Sequence, residues 1–559
     1  MVKKFLSFIS KEVGGLHEAA YLLGIFAILS QVLALIRDRL LAFTFGASHS
    51  LDLYYAAFRV PDFIFASIGS IVSISILIPF LMEKIERSES EAKEFINGVF
   101  SAFFFIIGAT ALIAFFAAPF LMKVLFPAFK DPSDFVTLVS MTRIMLLSPI
   151  FLGFSNFFSS ITQVYKRFYI YALSPLIYNI GIIIGIVFLY PIMGLPGLAW
   201  GVALGAVLHC GIQLPFVWSK SLFPRLSLNF SGDNVKRVVL ISFPRTITVS
   251  SNEIAEFFLI VFAGTLAGGA ISVFNFSWNL QSVPLSIIGT SYALAAFPVL
   301  TKLFSLGDNK RFVEQMVVST KHIVFWSVPI MAMFIVVRAQ IVRVILGSGQ
   351  FNWSDTRLTA AALALFTLSL IPQSLVSLFV RAYYSRSNTK KPLLMNVFSA
   401  ALIIVLSYFL IQVFDTQPLF KYFIESLFRV DDIPGAEVLM LPLGFSIGVT
   451  INMIIHWVAF ELDFPGYTRS VSRSAFQVIS SSIIMGAIAY VFLAIFGNVF
   501  NINTFFGVFF QGFFSGIIGI AVGIGLLVVL GNKELIEVAE ALKHKIWKAR
   551  IIPADPSGV

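Results

Sequence analysis

A chain of 559 residues that is 58% hydrophobic and only 12% charged cannot hide its apolar surface in a water-soluble fold, because soluble domains are about a quarter charged. The one cysteine, Cys210, excludes an intramolecular disulfide and any all-cysteine metal centre. The formal net charge of +10 would suit nucleic acid, but the basic residues are placed as in a membrane topology, which excludes a nucleic-acid partner from the reading.

The opening MVKKFLSFISKEVGGL is basic, with a short apolar run and no small-residue cleavage site, so the first helix reads as its own uncleaved insertion signal. Apolar runs of about 20 or more residues then predict fourteen spans, near 18–45, 51–82, 95–126, 135–164, 169–191, 195–218, 236–265, 269–303, 312–345, 357–384, 392–414, 437–460, 473–497 and 503–530. The fold class is an all-α polytopic membrane protein. Several runs exceed a minimal span and imply tilt, and many contain a proline, which implies kinks.

With the N-terminus inside, the inner segments collect most of the Lys and Arg, from Lys3 and Lys4 through Lys84, Arg87, Lys220, Arg225, Lys390 and Lys391 to Lys543 and Lys548. The turns ASHS, PIMGLPG, AGTLAGG and GNVFNIN have none. This bias orients both termini to the cytoplasm. The tail from Lys533 is a basic amphipathic helix suited to an anionic leaflet, and LFKYFIESLFRV from Leu419 reads as an interfacial helix.

Two echoes suggest duplication. YKRFYIYALSPLIYN and YYSRSNTKKPLLMN share Tyr-x-Arg, then Pro175/Asn179 and Pro392/Asn396, while RVPDFIFASIGS around Pro61 resembles QSVPLSIIGTS around Pro284. Both pairs are about 220 residues apart. The expected domains are a six-helix lobe over 1–220, a second over 221–465, two extra helices over 466–531 and a cytoplasmic tail over 532–559. Two lobes with kinks in matching helices suit alternating access around a site between them.

Charges at membrane depth are expensive and mark sites. Residues 36–63, IRDRLLAFTFGASHSLDLYYAAFRVPDF, carry Arg37, Asp38, Arg39, Asp52, Arg59 and Asp62. The seventh predicted span adds Arg245, Glu253 and Glu256. At about 100° per residue, Arg245 and Glu256 share a face, as do Asp52 and Arg59, with Glu253 and Asp62 each about 80° away. Such mixed-charge stripes should face a wet cavity or each other. Arg143, His322 and His456 are isolated on apolar helices and read as packed or snorkelling residues. Asn179 and Asn396 read as bridges in kinked helices, with an ion site near Asn396 and Glu253 as an alternative.

No enzyme motif stands out. LHEAAY lacks the second histidine of a zinc helix, and Asp431-Asp432 lacks the partner acids of a metal–diphosphate site. Without a nucleotide-binding domain, transport would be secondary or driven by membrane potential.

SQVLALIRD from Ser30 and FGASHSLDLYYAAFRVP resemble the opening of the MurJ (MviN) family, bacterial lipid II flippases of the MOP exporter superfamily. ILIPFL around Pro79, QLP at Gln213 to Pro215, Pro284, Pro298, GSGQF at Gly347 to Phe351, AYYSRSNTKKP from Ala382 and GFSIG from Gly444 also match, in order. The resemblance implies fourteen helices, a cationic cavity between two lobes, a lipid-tail groove on the last two helices, and lipid II as substrate in the bacterial inner membrane. Proteins of cell-wall synthesis are possible partners. Of the four cavity arginines that it implies, Arg37 remains; the other positions read Gln31, Phe65 and Asn279. Asp38 and Asp52 match, and Arg59 stands where the family usually has Lys.

Three readings follow. Arg37, Arg59 and Arg245, with Gln31 and Asn279, form a rearranged diphosphate site. Alternatively Asp38, Asp52, Asp62, Glu253, Glu256 and Asn396 gate the path or couple Na⁺ or H⁺ to export of another amphiphile. In the third, the charges only hold the structure together and the chain is a transport-inactive relative. No cofactor is expected beyond a coupling ion.

Overall fold

The computed structural model describes residues 16–69, 74–227 and 253–547, and these are almost entirely helical, with no strand among them. Eleven helical stretches among the described residues are long and apolar enough to cross a membrane, matching the third to sixth and the eighth to fourteenth predicted spans. The second predicted span includes residues 70–73, and the seventh includes most of 228–252, which lie outside the described residues. The chain is a polytopic α-helical membrane protein.

It divides into two compact units. The first holds residues 1–280, 345–366 and 389–448; the second holds 281–344, 367–388 and 449–559. This partition by packing differs from the division by sequence echo, and all but one of its boundaries fall inside helices.

In the first unit, α1 (Leu16–Phe45) turns through Gly46 into α2 (His49–Ile68), followed by α3 (Ile74–Arg87) and α4 (Glu89–Leu125). Ser88 caps α4 by accepting from the Glu91 N–H, with Glu89 and Glu91 favourably placed in its first turn. Asp131 caps α5 (Pro132–Met145), which continues as α6 (Leu147–Val164). Next come α7 (Phe168–Ile184), extended by a π-helical turn, then α8 (Leu195–Gly211) and α9 (Leu214–Ser219). Gly181 and Gly185 on α7 meet Gly197, Gly201 and Gly205 on or beside α8 so closely that a Cβ at Gly181 would lie 2.2 Å from the Gly205 Cα. That four-residue glycine spacing lets two backbones touch where lipid supplies no hydrophobic drive.

The same unit contains α10, the helical stretch over 253–263, and most of α11 (Ala270–Pro284). After α14, below, its loop Gly347–Phe351 packs on the end of α1: Gln350 N–H donates to Phe43 O, and Gly349, at φ +59°, has no room for a Cβ. Then come α15 (Trp353–Thr367), α17 (Lys390–Thr416), α18 (Pro418–Phe428) and the start of α19 (Met440–Asp463). Gly444 and Gly448 of the GFSIG segment seat against Ser407 and Ile403 of α17. On α18, Leu419, Tyr422 and Phe423 are exposed, as an interfacial helix requires.

The second unit packs α12 (Ser291–Ser305), α13 (Asn309–Val336), α16 (Leu370–Ser385) and the end of α19 around Leu300, Phe312, Met316, Leu378 and Phe379. Most of α14 (Arg338–Leu346) belongs here too. In α20 (Tyr467–Gly497) and α21 (Phe505–Val529), Gly519 and Gly523 pack on Ala489 and Met485, and Gln511 bonds Gln340 and Leu493 O. The amphipathic α22 (Lys533–Trp547) is tied to α13 by His322–Glu537 at 3.2 Å and Lys321–Glu534 at 3.8 Å.

Candidate functional site: a counter-ion network in the first unit

Near the end of α1, Arg37 donates from Nε and Nη2 to Asp38 Oδ1 at 3.0 and 2.8 Å, and from Nη1 to Asn179 Oδ1 at 3.2 Å. The other Asp38 oxygen accepts from Asn279 Nδ2 at 3.0 Å. The chain Asn179–Arg37–Asp38–Asn279 therefore joins α7, α1 and α11. Asn179 also donates to Pro175 O, so this asparagine is a bridge in a proline-containing helix. Arg39 donates to Ile345 O at 3.1 Å. The pair is neutral and its carboxylate is buried, with 4% of the Asp38 side chain exposed.

Asp52 has a different task from the one that helical phase suggests. It shares a face with Arg59, yet its carboxylate accepts from Gly269 N–H at 2.6 Å, Ser272 N–H at 2.8 Å and Ser272 Oγ at 2.7 Å. It therefore caps the N-terminus of α11 across 217 residues or more of sequence, where the backbone N–H groups favour an anion. Gly269, at φ +94°, makes the approach possible, because a Cβ there would lie 2.3 Å from Ala47 O.

Arg59 turns instead to acids. Its Nη1 is 3.5 Å from Glu256 Oε1 on α10, its Nη2 is 3.6 Å from Asp62 Oδ2, and its Nε donates to Tyr55 O at 3.2 Å. Phe63, Ala66, Glu253 and Phe257 complete a recess of about 20 Å³ around them. That is room for about one water or small ion. One cation thus faces three carboxylates.

Of the other predicted residues, Gln31 is half-buried on α1, six positions before Arg37, and Asn396 is buried on α17, four after Pro392. Arg245 lies outside the described residues. His456 is buried, with Nδ1 3.0 Å from Asn452 O, and stacks on Phe379. Sequence reading missed Ser272 and Gly269 as partners of Asp52, and Asn179 as a partner of Arg37. The offset of 217 residues between Asp52 and Gly269, close to the repeat spacing, was the available signal. It also missed Arg357, whose guanidinium binds Asp432 and the Arg429 carbonyl.

The family profile described as "Lipid II flippase MurJ" matches residues 41–511. The chain belongs to the MurJ family. MurJ relatives include the probable lipid II flippase MurJ of Buchnera aphidicola subsp. Acyrthosiphon pisum, 26% identical over 69% of this chain and 76% of that protein. The lipid II flippase MurJ of Burkholderia cenocepacia is 24% identical over 66% and 73%. The probable flippase of Bdellovibrio bacteriovorus is 25% identical over 87% and 97%. Among solved structures, a lipid II flippase MurJ in an inward closed conformation aligns with a TM-score of 0.72 at 22% identity, covering 93% of this chain and all of that one. A multidrug resistance MATE family transporter of the MOP superfamily aligns at 0.62 and 15% identity, over 81% and 99%. The fold is that of MurJ and its MOP neighbours, and the family is one of membrane transporters.

Proposed function

We propose that this protein moves lipid II, an undecaprenyl diphosphate carrying a disaccharide-pentapeptide, from the inner to the outer leaflet of the bacterial cytoplasmic membrane by alternating access, with both termini in the cytoplasm. The observation that carries this reading is membership of the MurJ family over residues 41–511. In the proposed site, phosphate oxygens compete with Asp38 and Glu256 for Arg37 and Arg59, because a guanidinium fork fits a phosphate as well as a carboxylate. Arg245 is the third cation, and the Asn279 and Gln31 amides donate alongside. The apolar faces of α20 and α21, where Phe476, Ile483 and Phe506 are exposed, suit the polyprenyl tail. No bond is made or broken in this cycle. Enzymes of cell-wall synthesis would take the delivered lipid.

The acids support a coupling step. When phosphate draws Arg59 away, Asp62, Glu253 and Glu256 are left without their cation, and uptake of H⁺ or Na⁺ neutralises them. Asp52 stays on α11 as a tether. The same acid surplus supports a second reading, an ion-coupled exporter of another amphiphile.

The test is rescue of a bacterium depleted of its own lipid II flippase, with membrane abundance measured in the same cells. Rescue by wild type that is lost in well-inserted Arg37→Ala and Arg245→Ala variants is the expected result. If wild type inserts and does not rescue, while Glu253→Gln and Glu256→Gln abolish ion-dependent export of another amphiphile, the second reading replaces the first.

A further inference from the structure

A groove of about 770 Å³ runs between α4, the α5–α6 pair and α8, away from the charged network. Its wall is apolar, formed by residues such as Leu112, Val136 and Ile150, with Arg143 set among them. Arg143 donates from Nε to Phe115 O at 3.0 Å, and its guanidinium carbon sits 4.8 Å over the Phe115 ring. Those two contacts engage Nε and the face of the guanidinium, and Arg143 itself lines the groove. Among the described residues, no Asp or Glu lines it and none forms an ion pair with Arg143.

Depth matters here. At 1.5 Å per residue, Arg143 lies about 16 Å along the helix from Pro132, and Phe115 about 15 Å from Leu125. The guanidinium is therefore held at about the level of its own Cα and does not snorkel toward the Phe126–Asp131 turn. An arginine cannot shed its proton, and one at this depth calls for an anion. Two of the groove's lining side chains are strongly exposed, Val136 at 66% and Leu112 at 59%. Trp200, about 8 Å into α8 from Leu195, lines the same groove and is 41% exposed, with an indole N–H suited to a headgroup or ester oxygen. Ser140, one turn from Arg143 toward the Pro132 end, adds a hydroxyl.

We infer that this groove is a lateral binding site for an anionic membrane phospholipid, whose phosphate pairs with Arg143 while an acyl chain lies along the apolar wall. Arg143 stands midway along this wall, which at 1.5 Å per residue runs about 10 Å from it to Val136 and about 10 Å to Ile150. With the phosphate on the arginine, the first part of an acyl chain lies along one half of the wall and the rest continues into the bilayer. The occupant is a phospholipid because the wall is apolar, exposed side chains flank it, and among the described residues its one charge is a fixed cation. The site is independent of the transport reading.

The full chain, reconstituted in phosphatidylethanolamine vesicles, is exposed to phosphatidylglycerol carrying a diazirine on one acyl chain, with the matching phosphatidylethanolamine probe as control. Labelling by the phosphatidylglycerol probe should map to residues 108–119 and 135–150 and exceed the control severalfold. In Arg143→Gln, which keeps a donor for Phe115 O, that excess should fall at least fivefold, while Arg143→Lys should retain much of it. Gel filtration and a thermal melt establish that each variant is folded. Equal labelling by the two probes overturns the inference, as does labelling unchanged in folded Arg143→Gln. A groove shielded from both probes by a second copy of the chain overturns it too.

Discussion

Arg37 and Arg59 belong to one charged segment, yet the protein surrounds them in opposite ways. Arg37 meets one carboxylate, and both members of the pair are finished off by side-chain amides, Asn179 on one side and Asn279 on the other. Arg59 meets two carboxylates at longer range, with a third beside them, and no amide among the described residues completes the set. The first arrangement is neutral and satisfied, and it ties three helices. Among the described residues, the second carries two more acids than cations in a recess with room for about one water or ion. A buried charge cluster that is balanced can serve as a joint; one that is unbalanced persists only if water, an ion or a proton completes it.

The largest effect expected from breaking this contrast is at Arg37. Arg37→Ala leaves Asp38 buried with one amide for company, and loss of one partner of a buried pair costs about 3–5 kcal/mol. A detergent-stabilised thermal melt should show it, and Arg37→Ala with Asp38→Asn should regain most of the loss without regaining transport. If the single variant melts like wild type, the pair is not a joint. Next comes Asp52→Ala, which strips the cap from α11 and leaves Gly269 and Ser272 N–H groups without their acceptor. The loss should be about 1–3 kcal/mol, and Asp52→Asn should fall between it and wild type.

The contrast also shows which features were legible in the sequence. Membrane class and most spans follow from hydropathy, because a bilayer admits a chain only as helix or closed barrel and each long apolar run has one solution. Helical phase placed Arg59 and Glu256 on charged stripes expected to face a wet cavity or each other, and the two do meet. The same argument put Asp52 on the face of Arg59, which the helix keeps, but it did not give Asp52 its partner. Phase orders neighbours within one helix; it cannot say that the N-terminus of α11, led in by Gly269, will arrive at Asp52 first. Asn179 was legible as a bridge and not as the partner of Arg37. The glycines at 181, 185, 197, 201 and 205 were readable as a close-packing seam by their four-residue spacing.

Arg59→Gln comes third. Its side chain is 11% exposed but its partners Glu256 and Asp62 are 20% and 52% exposed, so water already shares the neutralisation. The cost should lie between those of buried and exposed pairs, about 1–2 kcal/mol. It should shrink further when Glu256→Gln is added, because the second change removes the charge that the first one stranded. A cost equal to that of Arg37→Ala would mean that the recess is as dry as the joint.

Glu256→Gln alone should change stability least, by under about 1 kcal/mol, since it removes an attraction to Arg59 and a repulsion from Asp62 and Glu253 together. Its value lies in separating stability from coupling. If the acid surplus holds H⁺ or Na⁺ during the cycle, this nearly silent variant should flatten the dependence of transport on pH or Na⁺ while melting like wild type. Arg37→Ala should do the reverse, losing stability and transport at every pH and Na⁺ concentration. Should Glu256→Gln keep the wild-type ion dependence, the surplus is merely solvated by water, and the coupling group must be sought elsewhere in the chain.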